Sequence, residues 1–414
     1  MSMQTRFAFA AAVFAAGASV AMAQQGMGVS PVRPQYEFPA STSKQDSSAG
    51  SVQLGDSPFY LAPFIGAAIG QDSNLFQTRD NEKDSVFYVI SPGFKIDARG
   101  PSLVLLASYL GGFGYYKDSR DDDYQDHTVR TSLDWLATRE AAFHLGYDFL
   151  RAHDARGSTD RPSGNEPDVY ELSTPTVLFA YGQKDARGRV EAWYSDGAKR
   201  YKNNREFTVG SDRDTKEAGV TGYFRVAPKT SILVEYRKTD LDYKLSTSPL
   251  SGEEERIYAG VTWDATAAVS GTIKAGQLKK RFNSPVLEDF SGTGWEGLVT
   301  WMPRTYSKVD VYSYRQPVES TGIGTFVLSE ATGVSWQHGW SSYFSTEAGA
   351  RFQKDKYQGN PRSDDIWSAG LKANYKFRPW LTLGAEYLYT NRDSNQPIYE
   401  FDRHIWFLTA VATL

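Results

Sequence analysis

From Ser57 to the last residue the chain alternates apolar and polar side chains with a period of two, not with the 3.6-residue period of a helix. Leu381, Leu383, Ala385, Tyr387 and Tyr389 alternate with Thr382, Gly384, Glu386, Leu388 and Thr390. The same rhythm sets Phe143, Leu145, Tyr147 and Phe149 against His144, Gly146, Asp148 and Leu150, and Ala218, Val220, Gly222, Phe224 and Val226 against Glu217, Gly219, Thr221, Tyr223 and Arg225. Successive side chains of a strand point to opposite faces, so each of these segments has one apolar and one polar face.

The connections alternate as well. Short links fall at 98–101, 137–140, 184–188, 227–230, 265–270, 302–305, 338–342 and 378–380, and longer polar stretches at 73–84, 117–123, 154–167, 202–214, 246–253, 284–291, 316–327, 355–363 and 393–400. Eight short turns and nine long loops separate about 18 strands. An even number of antiparallel strands, with short turns at one end and long loops at the other, is the pattern of an outer-membrane barrel. A sheet in lipid must satisfy every backbone N–H and C=O, and only closure removes its edges. The expected fold is therefore all-β: a transmembrane antiparallel β-barrel over residues 57–414, with short periplasmic turns and long extracellular loops. A soluble sandwich or propeller would also be all-β, but would have no reason to line its outer faces with Leu, Tyr and Trp.

Composition fits this picture. A mean hydropathy of −0.48 coexists with 25 Tyr, 23 Phe and 10 Trp, because half of each strand faces water and the other half faces lipid and its interfaces. Tyr109, Phe113 and Tyr115 lie toward a long-loop end, and Trp135, Trp263, Trp301, Trp336 and Phe377 near short turns, where rings with polar tips suit the headgroup level. The last strand alternates up to Leu414, as in barrels of this class, although an aromatic is the commoner final residue. The net charge of −4 carries no nucleic-acid signature. The absence of cysteine excludes disulfides, thiolate metal sites and a cysteine nucleophile.

Residues 1–23 read as a signal peptide: Arg6 supplies the positive region, 7–18 the apolar stretch, and Ala21-Met22-Ala23 the cleavage site. Residues 24–56 are rich in Ser, Pro, Gln and Gly and read as a disordered periplasmic leader, too short for a plug domain. The protein is thus expected in the cell outer membrane.

If the apolar faces meet lipid, the alternate residues line the lumen. Centring hairpins on 137–140 and 378–380 sets Asp134 opposite His144, Arg130 opposite Asp148, Lys372 opposite Glu386 and Lys376 opposite Thr382. Opposed unlike charges contribute roughly 0.2–1 kcal/mol each. Glu191, Trp193, Glu217, Tyr223, Arg225, Glu235 and Arg237 complete the candidate pore-lining set, with Lys199, Asp264, Lys274, Glu296, Asp310, Glu347 and Arg351 as further inward charges. Their mixed signs argue against strong ion selectivity, and barrels of about 16–18 strands leave an aqueous channel. Tyr223, Trp193 and Tyr312 offer faces on which sugar rings would stack.

Signals for chemistry are weak. His127, His144, His153, His338 and His404 form no H-E-x-x-H, and neither G-x-S-x-G nor a Walker A motif occurs. Segment 151–157 (RAHDARG) could seat a general base but reads better as a loop anchor, and 118–126 (DSRDDDYQD) reads better as a solvated acidic loop than as a calcium site. No enzyme activity, cofactor or catalytic residue is expected.

The stretches QDSNLF (71–76), DSVFYVISPG (84–93), YYKDS (115–119), DYQDH (123–127) and YDFLRAHDARG (147–157) resemble the β-barrel porin family of exopolysaccharide and capsule biosynthesis loci in Gram-negative bacteria. The resemblance is densest over 60–160 and beyond that is mostly architectural. It implies a barrel channel serving export or biosynthesis of a polysaccharide, with lipid, the polymer and periplasmic export machinery as partners. The residues themselves leave open a general diffusion porin for small polar solutes, or an outer-membrane enzyme acting on lipid or polymer.

Overall fold

The computed structural model describes residues 32, 33, 35, 36, 51–161, 164–264 and 268–414. The expected signal peptide lies outside them. The first half of the chain forms β1 (Val52–Gln53), β2 (Phe59–Asp72), β3 (Ser85–Arg99), β4 (Leu103–Tyr116), β5 (Tyr124–Leu136), β6 (Ala141–Asp154), β7 (Asp168–Tyr181), β8 (Gly188–Tyr201), β9 (Arg213–Ala227) and β10 (Thr230–Tyr243). The second half forms β11 (Gly252–Trp263), β12 (Val269–Phe282), β13 (Phe290–Arg304), β14 (Ser307–Glu319), β15 (Phe326–Gly339), β16 (Phe344–Gln358), β17 (Ser363–Arg378), β18 (Leu381–Ser394) and β19 (Phe401–Thr413).

Strands β2 to β19 are an 18-strand ring in which each pairs antiparallel with its sequence neighbours, and β19 closes on β2 from Ile405↔Asp72 to Thr413↔Phe64. Every short turn and long loop read from the sequence falls between two of these strands. Inside the closing seam the Arg403 guanidinium donates to both carboxylate oxygens of the buried Asp72, with Nε to Oδ1 at 3.0 Å. This ties the first barrel strand to the last.

The short β1 stands outside the ring, pairing Val52 with Leu61 and Gln53 with Tyr60. It covers the stretch of β2 edge beyond Phe64, where the partnership with β19 stops, and so caps backbone groups that would otherwise be an open edge. Part of the segment expected as a disordered leader is therefore paired. Four more of its residues, Val32, Arg33, Gln35 and Tyr36, lie inside the ring; their contacts are taken up below.

Register confirms the face assignment. Asp134↔His144, Arg130↔Asp148, Lys372↔Glu386 and Lys376↔Thr382 are all direct cross-strand partners. A slip of one residue would have turned every one of these charges into lipid. On the outer face Ile65, Ile69, Leu145, Val234, Ile257 and Leu408 are exposed, as a lipid-facing band requires. Trp135, Trp301, Trp336, Phe377 and Trp380 are exposed toward the short-turn end, and Tyr88, Tyr115, Trp367 and Trp406 toward the long-loop end. No helix among the described residues is long and apolar enough to cross a membrane; the strands do the crossing.

Candidate functional site

The inward faces carry charged groups around most of the ring, and all thirteen candidate pore-lining residues point inward; the exception is an apolar cluster of Ala68, Phe87, Val89, Tyr116, Leu388 and Phe407 turned inward from β2 to β4, β18 and β19. Pairing fixes this: Glu191 faces Thr221, Trp193 faces Gly219, Tyr223 faces Leu233, and Arg225 faces Ser231. Asp264 is the exception among the further candidates. Strand β11 ends at Trp263, which leaves Asp264 in a turn, 3.4 Å from Lys184 of another short turn.

The wall is densest across β10 to β14. Glu235 and Glu296 are bridged twice, by Arg237 (2.6 and 3.2 Å) and by Lys274 (2.7 and 3.0 Å). Arg256 pairs with Glu254 at 2.9 Å, and Lys280 joins Glu254 to Glu319 at 2.8 and 2.6 Å. Four cations thus interleave with four carboxylates. All but Glu319 are buried residues, and the Glu296 side chain has no exposure at all. Burying a charge is tolerable only when it is paired and hydrogen-bonded, and here each member has a partner of opposite sign.

The wall across β5 and β6 is different. Arg130 and Asp148 are 3.6 Å apart, with side chains 69 and 63 % exposed on the inward face, so this side of the lumen is open to water. Lower down, His144 Nδ1 lies 2.7 Å from Asp134 Oδ1. Lys372 and Glu386 pair at 3.3 Å and are largely buried.

Arg33 and Tyr36 reach into this lumen. The Tyr36 N–H donates to Glu191 at 3.1 Å, its hydroxyl donates to Asp134 at 2.7 Å, and the Arg189 guanidinium donates to its carbonyl. The Arg33 guanidinium donates to Glu217 at 3.3 Å and lies 4.6 Å from the Trp193 ring centroid. Burial lowers the Arg33 pKa, opposed by Glu217. Burial also raises that of the Tyr36 hydroxyl, reinforced by Asp134.

At the long-loop end, residues 155–161 after β6 reach across the mouth. Asp160 accepts from Arg362 at 2.6 Å and from the Thr321 hydroxyl at 3.1 Å. Thr321 and Arg362 belong to the loops after β14 and β16, on the opposite side of the ring from β6 and β7. Arg161 holds Asp168 at 2.8 Å and Ser211 at 3.2 Å. Near its start the loop is fixed by Arg156, which donates to Asp122 at 2.7 Å and stacks 4.2 Å over Phe76. Gly157, at φ +76°, has no alternative there, because a Cβ would stand 1.7 Å from the Phe76 carbonyl oxygen. Burial works to lower the Arg362 pKa, and Asp364 and Asp160 more than reverse it.

The segment at 151–157 is therefore a loop anchor. His153 Nδ1 is 3.0 Å from Asp126, and its ring stacks on Tyr124 at 4.2 Å. In the acidic stretch Asp122 is engaged by Arg156 and Ser119, and Asp123 accepts from the Tyr116 N–H. Among the described residues no group of three or more His, Cys, Asp and Glu is placed to hold a metal ion.

Sequence reading missed Glu254, Arg256, Lys280, Glu319 and Arg189 as members of the lumen surface. The period-two count that found Glu235 and Arg237 would have found them. The mouth clamp had no such signal, since Asp160 and Arg362 are 202 residues apart.

No protein of curated function matches the chain. Among solved structures, Pseudomonas aeruginosa OccK3 (OpdO) is similar at 11% identity and a TM-score of 0.47, covering 86% of this chain and 96% of that one. P. aeruginosa OccK2 (OpdF), in a complex with glucuronate, is similar at 8% identity and a TM-score of 0.48, covering 86% and 98%. The FrpB iron transporter of Neisseria meningitidis (F3-3 variant) is similar at 11% identity and a TM-score of 0.45, and the chain spans 62% of its length while 82% of this chain is covered. The family described as "putative beta-barrel porin 2" matches residues 52–413. With the whole of its ring inside that match, the chain belongs to the putative beta-barrel porin 2 family and is a porin-like β-barrel of the Gram-negative outer membrane.

Proposed function

We propose that the protein is a diffusion channel for small polar solutes. The observation that carries this reading is the sign-compensated lumen. The four buried cations and four carboxylates of the β10–β14 wall neutralise one another, while the Arg130 and Asp148 side stays open to water. The neutralised wall favours neither charge strongly, and the exposed Arg130 and Asp148 offer groups of both signs to a dissolved solute.

Export of an exopolysaccharide, the role implied by the family resemblance, has less support in the geometry. A polymer in transit needs an unbroken tube for its whole length. Here residues 155–161 bridge the mouth through Asp160, and Arg33 and Tyr36 occupy part of the lumen. Small solutes need only the gaps beside these groups.

Liposome swelling tests the proposal. Vesicles carrying the purified chain should swell in isosmotic pentose, hexose and zwitterionic amino acids, at rates that fall as the solute grows, and should not swell in a long dextran. No swelling beyond that of protein-free vesicles would refute the diffusion reading. Entry of dextran would replace it with polymer transport.

A further inference from the structure

The lumen already holds a guanidinium. Arg33 lies over the face of Trp193 at 4.6 Å and donates to Glu217 at 3.3 Å, while Trp193 Nε1–H donates to the same carboxylate oxygen at 3.0 Å and fixes its position. An aromatic face and a carboxylate converging on one cation are the two elements by which proteins bind alkylguanidinium and ammonium groups. The Trp193 side chain packs with Leu178 and Ala180 of β7, with Tyr36 against the same cluster, and is 4% exposed. Gly219 opposite it leaves room for the ring, since a Cβ there would stand 2.1 Å from the indole. The wall that makes this half-cage is therefore built by β7, β8 and β9, and Arg33 is not one of its parts.

Other charges near the cage are committed elsewhere. Arg237 lies 5.9 Å from the Trp193 ring but is engaged by Glu235 and Glu296, and Arg189 is engaged by Glu191. Tyr36, which packs against the same cluster, is held by Asp134 and Glu191. With Arg33 and Tyr36 withdrawn, three carboxylates, Glu217, Glu191 and Asp134, would face the lumen beside one exposed indole face, against Arg189 and His144 as the nearest partners of the last two.

We propose that Glu217 and Trp193, flanked by Glu191 and Asp134, form a solute subsite for alkylguanidinium and alkylammonium compounds, which the N-terminal segment occupies through Arg33 and Tyr36. The segment acts as a tethered competitor and narrows the passage until solute displaces it. This rests on the diffusion reading for its consequence, but not for the binding itself. Residues 37–51 join Tyr36 to β1; fully extended they reach roughly 50 Å, about the length of a 14-residue strand such as β2. That is enough chain for Arg33 to leave the cage while β1 stays paired. Because the chain links Arg33 covalently to β1, the competition is intramolecular, with an effective concentration of about millimolar order, so free solute should compete at millimolar levels and above.

The test compares the full chain with its Arg33→Ala variant, using L-arginine as the probe and L-citrulline as its uncharged isostere. In calorimetric titration of detergent-solubilised protein, Arg33→Ala should bind L-arginine at least tenfold more tightly than the unaltered chain does, and at least tenfold more tightly than it binds L-citrulline. Adding Glu217→Gln should abolish the arginine signal. In planar bilayers Arg33→Ala should conduct about twofold or more above the unaltered chain, and L-arginine should block that extra current. Equal binding of arginine and citrulline, or no gain in arginine binding on removing Arg33, would overturn the subsite. Equal conductance of the two proteins would overturn the competitor role. If neither protein conducts while arginine binding still depends on Arg33 and Glu217, the diffusion function fails and the subsite stands; if both conduct alike without arginine binding, the function stands and the subsite fails.

Discussion

Replacing Lys274 by methionine is expected to lower the unfolding free energy of the barrel by about 3–5 kcal/mol, the range for breaking a buried ion pair from one side. Lys274 is the shared cation of Glu235 and Glu296, at 2.7 and 3.0 Å, and its side chain is 2% exposed. Methionine fills a similar volume, so the loss isolates charge from packing. Among the described residues Arg237 would then be the only cation bridging the two buried carboxylates, with Arg256 3.9 Å from Glu296. Neutralising the carboxylates in the same protein, as Lys274→Met with Glu235→Gln, should recover a substantial part of the loss, because fewer uncompensated charges remain. Urea titration in lipid vesicles measures both. A single variant as stable as the parent would mean that the wall is hydrated and its pairs contribute little.

The second large effect is expected at the mouth. Asp160→Ala removes the acceptor for Arg362 and for Thr321, and a hydrogen bond to a charged group contributes about 1.5–3 kcal/mol. That shifts the ratio of bridged to released loop by roughly tenfold or more. Single-channel records of the variant should show longer and more frequent high-conductance intervals, and limited proteolysis should cut within 155–167 much faster than in the parent. Arg362 keeps Asp364 as its partner in this variant, so the barrel itself should unfold at the same denaturant concentration. Unchanged gating and unchanged proteolysis would show that the loop is held by Arg156 and by the contacts of Arg161 and the Asp160 N–H with Thr321, and not by the Asp160 carboxylate.

The parts of the molecule legible in the sequence were those whose physics is local. Period-two alternation fixed which face of each strand meets lipid, and turn position fixed the partner of Asp134, Arg130 and Lys372, because hairpin register follows from the turn alone. The closing pair Arg403 and Asp72, 331 residues apart, lies at the ends of two alternating segments, yet nothing in either segment names the other. The same holds for Asp160 with Arg362 and for Arg33 with Glu217, whose separations are 202 and 184 residues. A Ser- and Pro-rich leader reads as a chain without a core of its own. That reading is sound for a segment on its own in water, and it leaves out a lumen lined with carboxylates that a short segment can enter.

The exopolysaccharide role rested on resemblance, and the family match supports the channel without the cargo. What decides between a solute passage and any other use of the barrel is whether ions cross it and which ones. Single-channel recording of the full chain across a tenfold KCl gradient measures this directly. The sign-compensated lumen predicts discrete ohmic steps with a reversal potential close to zero; an absence of steps, or a reversal potential near that of a purely cation- or anion-selective pore, would contradict it.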